Sequence, residues 1–324
     1  MSLTGSHPQL VKRSRALQLL AELPGAAYLL FLMSVLLSFA TPEFFSVANL
    51  TNVALQVAVL AIVSFGMTLV ILTEGIDLSL GPVLGLCGVV MGLLVVAGWP
   101  LAIAVGAALL IGAAFGTMNG ILVAYVEMPP FIVTLGAFGI AMSFAMVLTE
   151  GNSVTGLPEF VRLFNEGVFL GIPVPIWATA VCFAVTYILL YHTKFGRYTF
   201  AIGGNRQALI LSGSPARFYQ VLVYAYAGAL AAVGSFIMTA RMNAAHPTIG
   251  VGLEFDAIAA VILGGTSFEK GRGGITGTVI GALAVGVLRN GLNLMGVSTE
   301  WQVAVVGIVI ILAVSLDSLR GLNQ

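Results

Sequence analysis

Apolar runs of about twenty residues follow one another along almost the whole chain, and they leave few folds open to it. Runs long enough to cross about 30 Å of hydrocarbon are predicted at residues 23–41, 53–73, 80–98, 100–125, 131–149, 172–191, 218–240, 255–267, 275–293 and 300–317. Only 8% of the 324 residues are charged, whereas about a quarter are charged in a soluble domain. Because helices satisfy their own backbone hydrogen bonds in lipid, we predict an all-α integral membrane protein with about ten transmembrane helices. Residues 23–320 are expected to form a single transmembrane domain.

The basic residues set the predicted orientation of these helices. With the N-terminus inside, alternation places most of them on one face, namely Lys12, Arg13, Arg15, Lys194, Arg197, Arg206, Arg217, Lys270, Arg272 and Arg320. Short loops rich in Lys and Arg stay on the cytoplasmic side of a membrane. We therefore predict that residues 1–22 form a cytoplasmic segment and that both termini are cytoplasmic. The polar loops Glu150–Gly171 and Arg241–Glu254 then face outward, either towards an extracytoplasmic partner or solute, or as plain solvated loops.

The interval 192–217 is the only long polar stretch in the second half of the chain, and it contains four basic residues and no acidic residue. A Gly-Gly-Asn turn ending at Asn205 can cap a helix start. Good helix formers run from there to Leu211 before Ser212–Pro215 stops the helix. We predict a short helix on the inner membrane surface, where a partner protein can push it. An ordinary basic connector is the alternative.

Two carboxylates, Glu74 and Asp77, lie between long apolar runs. An acidic side chain at mid-bilayer costs about 2.5–3.5 kcal/mol on insertion scales, so it is normally paired, placed at an interface or in a watery cavity. Gly75, Gly81 and Pro82 bracket these residues and indicate a break in the helix. Two interpretations stay open: a tight turn in which Asp77 caps the next helix, or a direct contact with a transported solute.

Three asparagines, Asn119, Asn290 and Asn293, lie within predicted membrane spans. Amides on one helical face can hold the hydroxyl groups of a sugar. They can equally form hydrogen bonds to neighbouring helices, which is a common use of Asn in membrane bundles. We therefore take Glu74, Asp77 and these three amides as candidates for the translocation path.

A short internal repeat links the two halves of the chain. Asn119-Gly120 is followed sixteen positions later by Gly136, and Asn290-Gly291 is followed sixteen positions later by Gly307. Under the predicted topology the two copies cross the membrane in opposite senses. Inverted repeats of this kind are typical of transporters, in which the solute path follows the interface between the repeats.

Several classes of site are absent from the sequence. There is no G-x-x-x-x-G-K-[ST] phosphate-binding motif, no cluster of histidines with metal-ligand spacing and no convincing nucleophile–base pair. The net charge is zero, so no global basic field suggests nucleic acid. We expect no catalytic residue, metal or cofactor on this chain. Uphill transport then needs either a separate motor or an ion gradient, the latter making the chain a secondary carrier that uses Glu74 or Asp77 for protons. A membrane enzyme or a passive channel is a third class.

Several stretches resemble one known family. They are LTEGIDLSLGPVLGL at 72–86, MNGILVAYVEMPPFIVTLG at 118–136, FGRYTFAIGGNRQALILSG at 195–213, LEFDAIAAVILGGTSF at 253–268, GTVIGAL at 277–283 and NGLNLMGVS at 290–298. In this order they are similar to the permease subunit of ribose-type ABC sugar importers. The likeness covers nearly the whole chain after residue 45. Two places depart from the family pattern: Gly81-Pro82, commonly Gly-Ser, and Glu269-Lys270, usually Gly-Gly.

The resemblance implies a type II ABC importer-like fold of ten helices in a bacterial inner membrane. It implies a homodimer or paralogous heterodimer of permeases, a cytoplasmic ATP-binding subunit that holds ATP and Mg²⁺, and an extracytoplasmic solute-binding protein. It also implies a function, the import of a monosaccharide or similar small polar solute. The positions that the resemblance assigns to coupling with the ATPase are Ala201, Gly203, Gly204, Asn205, Arg206, Ala208 and Gly213.

Overall fold

The computed structural model describes residues 25–268 and 271–321. Its helices are α1 Gly25–Ala40, α2 Val47–Leu72, α3 Leu80–Val96, α4 Leu101–Ala124, α5 Pro130–Thr149, α6 Glu159–Glu166, α7 Val174–His192, α8 Lys194–Leu211, α9 Ala216–Met242, α10 Leu253–Leu263, α11 Ile275–Leu294 and α12 Thr299–Gly321. Strands β1 Val168–Phe169 and β2 Ile172–Pro173 pair antiparallel between α6 and α7. The predictions made for residues 1–22 and for Glu269-Lys270 lie outside the described residues.

Six of the described helices, α2, α4, α5, α7, α9 and α11, are long and apolar enough to cross a membrane. Shorter apolar helices are α1, α3 and the first part of α12. Helix α10 has eleven residues and measures only about 16 Å, half the thickness of the hydrocarbon layer. The predicted all-α membrane class is confirmed, while the number of crossings stays a prediction.

Helix α2 lies at the centre of the bundle. Its most apolar window is 89% buried, compared with 17% for α7 and 22% for α4. A helix that is apolar all round belongs inside a bundle, and α2 packs against α7, α9, α10 and α11. The outward faces of α4, α5 and α7 are apolar and exposed, as expected for surfaces that contact lipid.

Glycines allow α4 and α9 to approach closely. Gly112, Gly116 and Gly120 repeat every four residues along one side of α4. A side chain at Gly116 would overlap the carbonyl oxygen of Tyr224 on α9, and one at Gly112 would overlap that of Gly228. Small residues at this spacing bring two membrane helices to backbone contact. The C-terminal half of α4 and the N-terminal half of α9 therefore pack tightly together.

The helix ends after α2 and restarts at α3, as the glycines and polar residues at 74–82 predicted. Residues 73–79 lack regular helix, and Glu74 has a left-handed backbone with φ of 60°. Pro82 lies within the first turn of α3, where a missing N–H removes no helical hydrogen bond. The departure from the family pattern at Gly81-Pro82 is therefore compatible with the helix geometry.

The segment between α9 and α10 departs from the expectation for a plain outer loop. It runs back alongside α3, with Ala245 against Gly92 and Pro247 against Gly85. Further on, Gly250 meets Gly81 so closely that neither position has room for a side chain. The starts of the short helices α3 and α10 thus lie together inside the bundle. We name this contact between Gly81 and Gly250 the glycine crossing.

Candidate coupling surface and solute path

Helix α8 occupies most of the interval that was predicted as a cationic inner loop. Its helical geometry is interrupted at Asn205, where φ is −166° and ψ is 91°. The Oδ1 atom of Asn205 accepts a hydrogen bond from the backbone N–H of Ala208 at 2.8 Å, so Asn205 caps a second helical part that ends at Leu211. This confirms the predicted helix start and stop. The first part, Lys194–Gly204, was expected as a loop within the polar, cationic interval, but it is helical in the structure.

The first part of α8 packs against the C-terminal end of α2. Gly203 is buried, and a side chain there would overlap the carbonyl oxygen of Leu72, the last residue of α2. Its added Cβ would also lie 2.8 Å from Cα of Gly271. Gly203 is therefore a packing position that connects α8 to the break after α2, and it offers no surface to a partner.

Arg206 fastens the second part of α8 to two other helices. Its Nη2 atom donates to the carbonyl oxygen of Ala124, the last residue of α4, at 2.9 Å. Its Nε atom donates to Oε1 of the buried Gln220 on α9 at 3.0 Å. Nearby, Arg217 forms an exposed ion pair with Glu127 at 2.9 Å. The guanidinium group of Arg206 is thus engaged within the protein, and it joins α8 to the C-terminal end of α4 and the N-terminal end of α9.

The remaining predicted coupling positions form an open surface of small side chains. Gly204, Asn205, Ala208 and Gly213 are exposed, and Ala201 is half-buried. Leu211, which sequence reasoning did not select, is 88% exposed at the end of α8. No sequence signal separates it from the other apolar residues of the stretch.

Two of the predicted path residues come together around the break between α2 and α3. The Oδ1 atom of Asp77 accepts hydrogen bonds from the backbone N–H of Ser79 at 2.9 Å and from its hydroxyl at 2.6 Å. Asn119 on α4 donates from Nδ2 to the same hydroxyl at 2.9 Å. All three side chains are buried, and we call them the Asp77 cluster. Within the described chain, Asp77 Oδ2, Asn119 Oδ1 and the hydroxyl of Tyr224 have no hydrogen-bond partner.

The other predicted path residues lie elsewhere. Glu74 is exposed just after the C-terminal end of α2. Asn290, near the C-terminal end of α11, exchanges two amide hydrogen bonds with Asn49 on α2, at 3.0 and 2.8 Å. Asn293 accepts a hydrogen bond from Gln302 on α12 at 2.7 Å. These two amides of α11 join helices, which is the structural alternative that the sequence left open.

Sequence reasoning also missed the surroundings of two carboxylates near the start of α10. Asp256 forms an ion pair with Arg289 of α11 at 2.6 Å, and both side chains are largely buried. Glu254 is buried, with Oε1 accepting from the N–H of Gly252 at 3.0 Å and Oε2 directed at Gly81. Carboxylates in a first helical turn are favourable, but the partner of Asp256 lies 33 residues away. Only the three-dimensional packing of α10 on α11 reveals it.

Replacing Asp77 distinguishes a capping role from a proton-relay role. In Asp77→Asn an amide oxygen still accepts from Ser79, so we expect the variant to fold and to retain transport. Asp77→Leu removes both acceptor contacts and strands a buried N–H and hydroxyl, and it should destabilise the protein by about 1–3 kcal/mol. Thermal unfolding in nanodiscs measures the stability, with Glu74→Gln as the exposed control. Complete loss of transport in a stable Asp77→Asn protein would contradict the capping role.

The comparisons with known proteins agree on a family. A protein-family profile described as the permease component of branched-chain amino acid transport systems matches residues 49–314. The chain is 44% identical over 290 residues to the ribose import permease protein of Bacillus subtilis (strain 168), which covers 89% of this chain and 90% of that protein. It is 37% identical over 298 residues to the D-allose transport system permease protein of Escherichia coli (strain K12), which covers 91% of each.

A third relative, the fructose import permease protein of Rhizobium meliloti, is 34% identical over 306 residues, covering 91% of this chain and 85% of that protein. No solved structure matches the chain. The profile alone spans most of the transmembrane helices, from α2 into α12. The chain therefore belongs to this family of transport-system permease components, as its resemblance to the ribose-type ABC sugar permeases predicted.

Proposed function

We propose that this permease imports a monosaccharide or similarly small polar solute and that a separate ATPase subunit supplies the energy. The observation that carries the proposal is α8. It presents an open surface that includes Leu211 and Ala208, and it is fastened to three transmembrane helices through Gly203 and Arg206. A force applied to that surface reaches the inner ends of α2, α4 and α9 directly.

The class of solute follows from the relatives. The permeases of Bacillus subtilis, Escherichia coli and Rhizobium meliloti are named for ribose, allose and fructose, all of them monosaccharides. The buried Asp77 cluster supplies carboxylate, hydroxyl and amide groups at the end of α2, and such groups form hydrogen bonds with sugar hydroxyls. We assign a monosaccharide as the solute class and leave the individual sugar to the binding protein that delivers it.

The proposed assembly contains three kinds of partner. A cytoplasmic ATP-binding subunit, which holds ATP and Mg²⁺, contacts α8, and an extracytoplasmic solute-binding protein contacts the outer loops. Two permease chains pair as a homodimer or as a paralogous heterodimer. The assembly lies in a bacterial inner membrane with both termini of the permease in the cytoplasm. The orientation is supported by the four basic residues of the interval 192–217 and its lack of acidic residues.

We further propose a ten-helix, inverted-repeat architecture of the type II importer kind. The ten crossings are α1–α5, α7 and α9–α12, with α6 on the outer face and α8 on the inner face. The order α2–α5 recurs as α9–α12, and Asn290 on α11 follows Asn119 on α4 by 171 residues. The ends of α4 and α11, Ala124 and Leu294, differ by 170 residues. A nearly constant offset in element bounds supports a repeat of one structural unit.

This architecture gives a route for the motion. The two short helices α3 and α10 occupy equivalent places in the two repeats and meet at the glycine crossing. Discontinuous helices that meet inside the bilayer mark the solute site in many transporters. Closure of the ATPase shifts α8, and α8 moves the inner ends of α2, α4 and α9. The two repeats then rock about the crossing and expose the path to alternate sides.

The second candidate function is an ion-coupled secondary carrier. One observation favours it: Asp77 is fully buried and its Oδ2 atom has no hydrogen-bond partner among the residues that the structure describes. A buried carboxylate of this kind can carry a proton through a transport cycle. The carrier would need neither an ATPase nor a binding protein.

Reconstitution separates the two functions. We expect the purified chain, alone in proteoliposomes, to accumulate no labelled ribose, allose or fructose under an imposed proton gradient. Addition of its ATP-binding and solute-binding partners with Mg-ATP should give uptake of one of these sugars, because the chain lacks a nucleotide motif of its own. Labelled sugar trapped per vesicle is the measurement. Gradient-driven accumulation by the isolated chain would overturn the ATPase-driven function and favour the carrier.

A further inference from the structure

The outer hairpin β1–β2 exposes several apolar side chains, and their contact with water would be unfavourable. Val168, Phe169 and Leu170 are 64%, 61% and 77% exposed. The two-residue turn consists of Leu170 and Gly171, with φ of 53° and 78°. Such a turn favours Asn-Gly or Asp-Gly, because both central residues need positive φ. Leucine is therefore unsuited both to this backbone conformation and to contact with water, which indicates that its side chain serves an interaction.

The hairpin continues an apolar stripe on α7. Trp177, Val181, Val185 and Ile188 follow the i, i+4, i+8, i+11 spacing of one helix face, and all four are exposed. The indole N–H of Trp177 donates to the carbonyl oxygen of Phe169 at 3.1 Å, and the two rings meet edge to face at 6.0 Å. The face of α7 that is exposed to lipid thus passes into the hairpin through the Phe169–Trp177 pair.

Contacts between α7 and α2 give the depth of the hairpin. Thr179, five residues after the start of α7, donates to the carbonyl oxygen of Ala58, eleven residues after the start of α2. At 1.5 Å per residue, α7 begins about 9 Å deeper than α2. Three residues of extended chain rise by about 10 Å at most. The hairpin tip therefore reaches roughly the level at which α2 begins and does not project far beyond it.

A charged residue marks the membrane surface near the level at which α7 begins. Arg241 donates to Oδ1 of Asn52 at 2.8 Å, and Asn52 lies five residues after the start of α2. Arg241 is in the last turn of α9, and a long Arg side chain near the end of a membrane helix reaches the interface. The base of the hairpin is thus at the interface, and its tip extends into the headgroup layer, which adds about 5–7 Å on each side of the hydrocarbon.

We propose that the hairpin Val168–Pro173, together with Trp177, is an anchor inserted in the headgroup region of the outer leaflet, where its partner is phospholipid. Tryptophan is enriched at this depth because its ring is apolar and its N–H is polar. The hairpin and Trp177 carry no charge, so the anchor does not depend on the headgroup charge. It fixes the outer end of α7, the helix that leads directly into α8. This inference is independent of the energy source for transport.

Fluorescence quenching tests the anchor. In a full-length chain with Trp99→Phe and Trp301→Phe, Trp177 is the only tryptophan. We expect phosphatidylcholine brominated at acyl positions 6 and 7 to quench Trp177 in vesicles more strongly than lipid brominated at positions 11 and 12. Aqueous iodide should quench it weakly. At constant bromolipid content, replacing unbrominated phosphatidylcholine by phosphatidylglycerol should leave the bromolipid quenching unchanged. Strong iodide quenching, or shielding from both bromolipid and iodide by a second protein chain, would overturn the proposal.

A matched pair of variants separates insertion from folding of the hairpin. Leu170→Asn suits the left-handed turn position better than leucine does, so the hairpin stays formed but loses its apolar tip. Burying a leucine side chain changes a partition coefficient by about an order of magnitude. Bromolipid quenching of Trp177 should therefore fall about twofold or more in Leu170→Asn. Leu170→Met keeps an apolar tip and should keep the quenching. Equal quenching in the two variants would show that the tip does not insert.

Discussion

Reversing the charge at Arg206 is expected to uncouple ATP hydrolysis from transport while leaving the permease folded. In Arg206→Glu a carboxylate would face the carbonyl oxygen of Ala124 and the amide oxygen of Gln220. All three groups are hydrogen-bond acceptors, so none can donate to another. The tie between α8 and the inner ends of α4 and α9 would be replaced by repulsion. A coupling free energy of 1–3 kcal/mol corresponds to about 5- to 150-fold, so uptake should fall by roughly tenfold or more.

The measurement pairs sugar uptake with ATPase activity in the reconstituted assembly. Uptake per ATP hydrolysed should fall, whereas ATPase activity and copurification of the subunits persist. Arg206→Lys keeps the charge but lacks the planar guanidinium that contacts both acceptors. It should give an intermediate loss of uptake per ATP hydrolysed. Arg197→Glu is the matched control, because Arg197 is exposed on the first part of the same helix. Wild-type coupling in Arg206→Glu, or an equal loss in Arg197→Glu, would count against the tie.

Local signals in the sequence predicted much of this fold. Low charge and repeated apolar runs predicted the all-α membrane class, and Gly75, Gly81 and Pro82 predicted the break after α2. The Gly-Gly-Asn turn predicted the helix start at Asn205, because the side chain that caps Ala208 is only three residues away. These features depend on neighbouring residues alone, so a single sequence can show them.

The features that the sequence did not reveal depend on contacts between distant residues. Arg206 looks like a free surface cation in the basic interval, but its partner Ala124 lies 82 residues away. Asn290 resembles a path residue until its partner Asn49, 241 residues away, is known. Glu74 and Asp77 are near neighbours with similar chemistry, yet one is exposed and the other is fully buried. The direction in which a turn presents each side chain is set by the helices packed around it.

The roles of glycines were equally hidden, because a glycine in a turn and a glycine at a helix contact look alike in sequence. Gly203 was selected as a coupling position, and in the structure it packs on the end of α2. Gly81 and Gly250 lie 169 residues apart and meet backbone to backbone. Their contact joins the two halves of the chain at the place where the short helices α3 and α10 begin. The proposed transport motion requires that the two backbones stay this close, because the two repeats rock about their contact.

Filling the glycine crossing is therefore expected to have a large effect on transport. A leucine at Gly250 would overlap the carbonyl oxygen of Gly81, a backbone atom that cannot move unless the start of α3 moves with it. Overpacking of a close-packed core costs about 1–3 kcal/mol and sometimes more. We expect Gly250→Leu to abolish sugar uptake and to lower the unfolding temperature in nanodiscs, with Gly250→Ala in between.

Gly139→Leu is the matched control for this substitution. Gly139 also lies within the membrane core, on α5, but no heavy atom outside its own helix neighbourhood lies within 4 Å of a side chain added there. The control should keep uptake and unfolding temperature, because its new side chain points into lipid and adds only apolar surface. If Gly250→Leu transports as well as Gly139→Leu, α3 and α10 must separate easily during the cycle, and the crossing cannot be the point about which the two repeats rock.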